Sequence, residues 1–177
     1  VRSVFQHLEA RYIFHITYNT EHEQAQEFIG FLNNVASCSE KLSCLLTETD
    51  NPGLEFTLLK EGVETGIKFR GIPSGHEFTS LLLAVLNADG KGKNLPDEAI
   101  SRRIKALQGP VRLQTYVSLT CTNCPDVVQA LNIITLLNPQ ITHEMVDGAL
   151  YQEEVDALKI QGVPSVYANG TLLHLSL

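Results

Sequence analysis

The stretch VSLTCTNCPDVVQAL, residues 117–131, decides how this chain is read. Cys121 and Cys124 stand two residues apart, where a β-rich segment gives way to an apolar helical one. Residues three apart share one face of a helix, so the two sulfurs fall within bonding range. The first cysteine sits where free N–H groups and the positive end of the helix dipole favour a thiolate, which lowers a thiol from ~8.5 toward the roughly 3.5–7.5 range of reactive cysteines. Such a thiolate attacks a partner's disulfide, and the neighbouring thiol resolves the mixed product. Pro125 is tolerated directly after the pair because few intrahelical donors are lost in a first turn. Half of a zinc site is the competing reading. The sequence offers neither a second Cys-x-x-Cys nor a histidine pair at finger spacing, so redox chemistry is preferred and no metal is expected.

Downstream, the pattern reads helix PDVVQALNIITLLN (125–138), strand ITHEMVD (141–147) and helix LYQEEVDALKI (150–160). A hairpin follows in PSVYANGTLLHL around Asn169 and Gly170, a dipeptide that tolerates the positive φ of a type I′ turn. Between helix and hairpin lies QGVPSV (161–166), whose Pro164 is forty residues beyond Cys124. The Val-Pro bond there is expected to be cis. In thioredoxin-like folds a cis-proline loop faces the Cys-x-x-Cys and pairs its backbone with an extended substrate segment. Strand, Cys-x-x-Cys, helix, strand, helix, Val-Pro and hairpin together are far more specific than the cysteines alone.

Upstream of the strand VRLQTYVSL (111–119), the order is β, α, β, β, β, α. It comprises RYIFHITY (11–18), the amphipathic EHEQAQEFIGFLNNVA (21–36), KLSCLLTET (41–49), GLEFTLLKEG (53–62), GIKFRGI (66–72) and the buried helix HEFTSLLLAVLNA (76–88). ADGKGKNLP (88–96) reads as a surface connection, and DEAISRRIKAL after it as a short amphipathic helix. The two halves share an opening βαβ and a closing antiparallel pair, which points to a duplicated α/β unit with helices on central mixed sheets. The expected division is a first unit over 1–90, a connection over 91–110 and a second unit over 111–177. The second copy lacks the last helix that the first has, so the chain is expected to be cut from something longer.

At 177 residues and 44% hydrophobic, the chain is long and apolar enough to bury a sizeable core. Its net charge of −7, with scattered Lys and Arg, leaves little with which to hold nucleic acid. No apolar run reaches the roughly 20 residues of a membrane span, so no membrane is expected and the cytoplasm is the expected compartment. Four cysteines are too few for a disulfide-stapled secreted scaffold. G-x-G-x-x-G does not occur, so neither FAD nor NADH is expected to bind within these residues.

SLTCTNCPDVVQALN, the following LNP, VDG and GVPSVYANG, and GHEFTSLLLAVL at 75–86 make the chain resemble the N-terminal domain of the flavoprotein component of bacterial alkyl hydroperoxide reductase. The likeness is strong from about Gly75 to Gly170, whereas residues 1–74 resemble the family in strand and helix order. The resemblance implies two fused thioredoxin-like folds, of which only the second keeps cysteines. It implies a tethered relay in which electrons pass from NADH through FAD and a flavoprotein Cys-x-x-Cys to this domain, and from it to a peroxiredoxin. By position, Cys121 is the attacking thiol, Cys124 the resolving thiol and Pro164 the cis-proline. Glu77 falls where the family has a glutamate reaching from the first fold toward the disulfide, and so is the candidate for proton handling. Around Thr115 and Tyr116, where thioredoxins often bury a carboxylate, there is no acid. In the first half, the place of the Cys-x-x-Cys falls near Asn19 to His22, and Leu54 stands where a cis-proline is expected. That half is expected to be chemically silent.

The remaining features have plainer readings. Cys38 and Cys44 are expected to be buried free thiols. His15 and His143 are expected to be partly exposed sheet residues. The commitment is a thiol-disulfide oxidoreductase domain, with a homodimer formed through the full-length protein. A free-standing glutaredoxin-like or disulfide-isomerase-like protein, or a redox-inert docking module, are the alternatives.

Overall fold

A computed structural model describes residues 1–175 and resolves them into eight strands and five α-helices. The strands are β1 (Tyr12–Tyr18), β2 (Leu42–Glu48), β3 (Leu54–Lys60), β4 (Val63–Arg70), β5 (Val111–Val117), β6 (Ile141–Asp147), β7 (Ser165–Ala168) and β8 (Thr171–Leu175). The helices are α1 (Ala25–Ala36), α2 (Phe78–Ala88), α3 (Glu98–Lys105), α4 (Cys124–Leu137) and α5 (Gln152–Ala157), and a 3₁₀ turn over Gly75–Glu77 leads into α2. Ser176 and Leu177, the last two residues of the expected second unit, lie outside the described residues.

The strands of both halves lie in one mixed sheet flanked by helices, in the order β2-β1-β3-β4-β6-β5-β7-β8. Each half contributes a parallel pair flanked by an antiparallel one, and the halves meet where β4 runs parallel to β6, Phe69 opposite Met145. Helix α5 is shorter than the pattern at 150–160 suggests, because Lys159 takes a positive φ just past its end. The hairpin turn holds Asn169 and Gly170 at φ of 50° and 83°, as the dipeptide demands.

Alternation puts Tyr12, Phe14, Ile16, Phe56, Leu58, Ile67, Phe69 and Met145 on one face of the sheet, where they pack against α1, α2 and α4 in one core. Phe56 is its centre, stacked on Phe69 at 5.1 Å and edge-on to Phe14 at 5.6 Å. Helix α5 covers the opposite face of the second half over Tyr116, Val146 and Tyr167. Among the described residues, the first half has no helix between β2 and β3, so its corresponding face lies open.

Polar ties cross between the halves. Arg70 on β4 reaches Glu144 on β6 at 3.1 Å and Glu154 on α5 at 2.7 Å, and lies 4.2 Å from the centre of the Tyr151 ring. Arg112 on β5 holds the other oxygen of the buried Glu144 at 2.9 Å. Asp89, just past α2, accepts from the N–H groups of Glu9 and Ala10 and from the Tyr12 hydroxyl, and so ties the N-terminal segment to the core.

Candidate functional site: a disulfide at a helix start

Strand β5 ends at Val117, and four residues later the chain reaches Cys121 in a loop whose turn closes through Cys121 N–H on the Ser118 carbonyl. Helix α4 then begins at Cys124, with Pro125 in its first turn. The Asn123 side chain does not cap this helix, and the Cys124 N–H points at the Cys121 sulfur at 3.2 Å. The two cysteines are joined as a disulfide with Cα atoms 5.6 Å apart. Cys124 is wholly buried, whereas Cys121 is half-exposed between exposed Thr120 and Thr122. Of the two sulfurs, that of Cys121 is therefore the more accessible.

Opposite the pair, the Val163–Pro164 peptide is cis and leads straight into β7. The Val163 carbonyl lies 4.0 Å from the Cys121 sulfur. The first half supplies the third wall. His76 N–H donates to the Leu119 carbonyl at 3.0 Å, and Gly75 comes so close that a Cβ there would stand 2.9 Å from the same oxygen. With φ at +57°, that position takes glycine on both counts.

This approach brings Glu77 down between α2 and α4, where its side chain has no exposure to solvent. Its Oε1 accepts from the Ser80 hydroxyl at 2.7 Å, whose oxygen in turn accepts from Gln129 Nε2 at 3.1 Å on α4. Oε2 has no partner. Burial pushes the carboxyl up to about 7, only partly offset by the Ser80 hydrogen bond. Ser80 and Gln129 were not singled out by sequence. Their only signal was polar side chains in otherwise apolar helix stripes.

Beneath α4 lies a second buried polar chain. Cys124, Val128 and Asn132 form one sheet-facing stripe at helical spacing. The Asn132 Oδ1 lies 2.7 Å from His143 Nδ1, and His143 Nε2 lies 2.7 Å from the Thr115 hydroxyl. His143 is thus buried, not partly exposed as its strand position suggested, because α4 lies across this part of β6. Cys38 and Cys44 are free and half-buried, somewhat more open than expected; Cys38 lies just past α1, and Cys44 on the edge strand β2.

The first half repeats the scaffold without a Cys-x-x-Cys at its helix start. Helix α1 begins at buried Ala25, the counterpart of Cys124, slightly beyond the Asn19–His22 stretch that the pattern indicated. Leu54 opens β3 opposite Tyr18, as Pro164 precedes β7 beside the end of β5. The backbone N–H and carbonyl of Leu54 are both taken by the Tyr151 hydroxyl, each at 3.0 Å, so a partner strand finds neither free.

No cluster of His, Cys, Asp and Glu able to hold a metal, and no helix long and apolar enough to cross a membrane, occurs among the described residues.

No family model matches the chain. Over 148 residues, 84% of its length, it is 43% identical to the F component of alkyl hydroperoxide reductase from Pseudomonas aeruginosa, and over 150 residues 43% identical to a protein of Bacillus subtilis named NADH dehydrogenase. The chain spans only 28–29% of the length of these relatives. The crystal structure of the NTD_N/C domain of alkylhydroperoxide reductase AhpF from Enterococcus faecalis superposes with a TM-score of 0.89 at 31% identity, covering 99% of this chain and 90% of that one. A protein disulfide oxidoreductase from Aeropyrum pernix shares the fold, with a TM-score of 0.85 at 18% identity over 98% of this chain and 83% of that one. The α/β class is therefore thioredoxin-like, a mixed sheet flanked by helices.

Proposed function

Because this chain belongs to the alkyl hydroperoxide reductase AhpF family, as its N-terminal domain, we propose that it is a thiol-disulfide relay that carries two electrons from a flavoprotein dithiol to a peroxiredoxin. The observation that carries this reading is the half-exposed Cys121 sulfur, seated at the start of α4 with the cis Val163–Pro164 loop beside it. The relay runs in two exchanges. A donor thiolate attacks the Cys121–Cys124 bond, which breaks, and the donor's second thiolate closes its own disulfide, leaving both cysteines reduced. The Cys121 thiolate then attacks the acceptor's disulfide, and Cys124 displaces the acceptor by re-forming its bond to Cys121. Two electrons leave with the acceptor. The Cys124 proton passes to the Glu77 carboxylate as that bond closes and returns when it is broken. FAD and NADH belong to portions of the full-length protein outside this chain, which also supplies the donor Cys-x-x-Cys and a homodimer contact. Residues 1–90 serve as the silent unit, 91–110 as the connection and 111–177 as the reactive unit.

The test uses the chain reduced with dithiothreitol, freed of reductant and mixed with a peroxiredoxin in its disulfide form. Two thiols per chain are expected to disappear, much faster than with insulin as acceptor. Equal rates with insulin overturn the peroxiredoxin assignment, and no thiol loss with either overturns the relay. Cys124→Ser is expected to accumulate a mixed disulfide with the peroxiredoxin, and Cys121→Ser to form none.

A further inference from the structure

A buried carboxyl gives and takes a proton most readily through an oxygen that no other donor occupies. Glu77 meets that description atom by atom. It lies wholly out of solvent at the end of the 75–77 turn, Oε1 is occupied by the Ser80 hydroxyl, and Oε2 is the one carboxylate oxygen of the pair left without a partner. The hydrogen bond at Ser80 has a fixed direction. Gln129 Nε2 can only donate, so the Ser80 oxygen accepts from it, and the single hydroxyl hydrogen turns toward Glu77. Gln129 stands on α4 five residues after Cys124, so the same helix that presents the disulfide also orients the hydroxyl. An unpartnered buried oxygen is destabilising.

We propose that Ser80 and Gln129 are positioning residues for Glu77: they pin Oε1 and leave Oε2 as the atom that gives and takes the proton of the buried cysteine. The proposal rests on the proton-handling reading of Glu77 given above. The charged groups on the elements around Glu77 are few. His76 on its own turn and Asp126 in the first turn of α4 are both exposed, and α2 carries no charged residue, so the Ser80 hydroxyl is the nearest lever on its titration.

The experiment measures how fast dithiothreitol reduces Cys121–Cys124 between pH 5 and 9, each variant's rate divided by that of Glu77→Gln so that titration of the reductant cancels. The carboxyl of Glu77 is followed in parallel by ¹³C NMR of the oxidised chain, a readout that needs no activity. Ser80→Ala removes the donor to the ionised form, so its midpoint should move up by about half a pH unit or more in both measurements. Ser80→Thr keeps a hydroxyl and should restore the native midpoint. Gln129→Leu is expected to shift the midpoint the same way by less, and being half-buried it stands in should Ser80→Ala fail to fold. A native profile parallel to that of Glu77→Gln defeats the carboxyl's role itself. A native inflection that neither Ser80→Ala nor Gln129→Leu moves overturns the positioning proposal while leaving Glu77 in place.

Discussion

At the scale of the residue, the two buried groups near the helix that bears the cysteines titrate in ways that set opposite pH limits on the fold. Glu77 is ordinarily a carboxyl near 4.5, and burial lifts it to about 7. Between those values the folded chain binds a proton that the unfolded chain has released, so stability falls as pH rises through this window. Glu77→Gln should therefore raise Tm at pH 8 while changing it little at pH 4.5, as read by thermal melts at the two pH values; a uniform shift would contradict the buried carboxyl. His143 works the other way. Burial pushes its imidazole down to about 3, so below its ordinary 6.5 the unfolded state takes up a proton that the folded state refuses. Stability should fall as pH drops from about 6.5 toward 3, and His143→Gln should flatten that slope in urea titrations.

Single elements are fixed by contacts the sequence only half announces. Helix α3 has no buried residue and depends on its ends: the Asp97 side chain accepts from the Ile100 N–H, and Asn138 holds the Ile104 and Leu107 carbonyls. Asp97→Ala should cost about 1 kcal/mol of local stability, seen as faster amide exchange in α3 alone. The N-terminal segment hangs on Asp89 in the same way. Burial alone would raise that carboxyl, but the N–H groups of Ala10 and Glu9, Lys91 and the Tyr12 hydroxyl together hold it at about 2. Asp89→Ala should destabilise the chain by about 3 kcal/mol at pH 7, because hydrogen bonds to a charged group contribute about 1.5–3 kcal/mol each. The loss should shrink below pH 4, where the native carboxylate's advantage over the unfolded chain fades.

For the whole molecule, the joint between the halves matters most. The sheet is continuous through β4 and β6, and the Tyr151 hydroxyl closes both Leu54 backbone groups from the other half. Tyr151→Phe should cost about 1–2 kcal/mol and speed exchange of the Leu54 amide, while leaving reduction of Cys121–Cys124 unchanged. An unaltered Leu54 amide would show that the tie carries no weight.

Periodicity, turn chemistry and the Cys-x-x-Cys were enough to read the order of strands and helices, the pairing of Cys121 with Cys124, the hairpin at Asn169-Gly170 and the repeated strand pattern of the two halves. These are local properties, set by 2.0- and 3.6-residue repeats and by backbone preferences that neighbours in sequence enforce. What folding alone decided is everything that depends on which element lies across which: the pairing of β4 with β6 that joins the halves, the burial of His143 under α4, the capture of Leu54 by Tyr151, and the descent of Glu77 between two helices onto Ser80 and Gln129. No pattern within a segment encodes those meetings, because the partners are up to 97 residues apart and are joined by packing rather than by period.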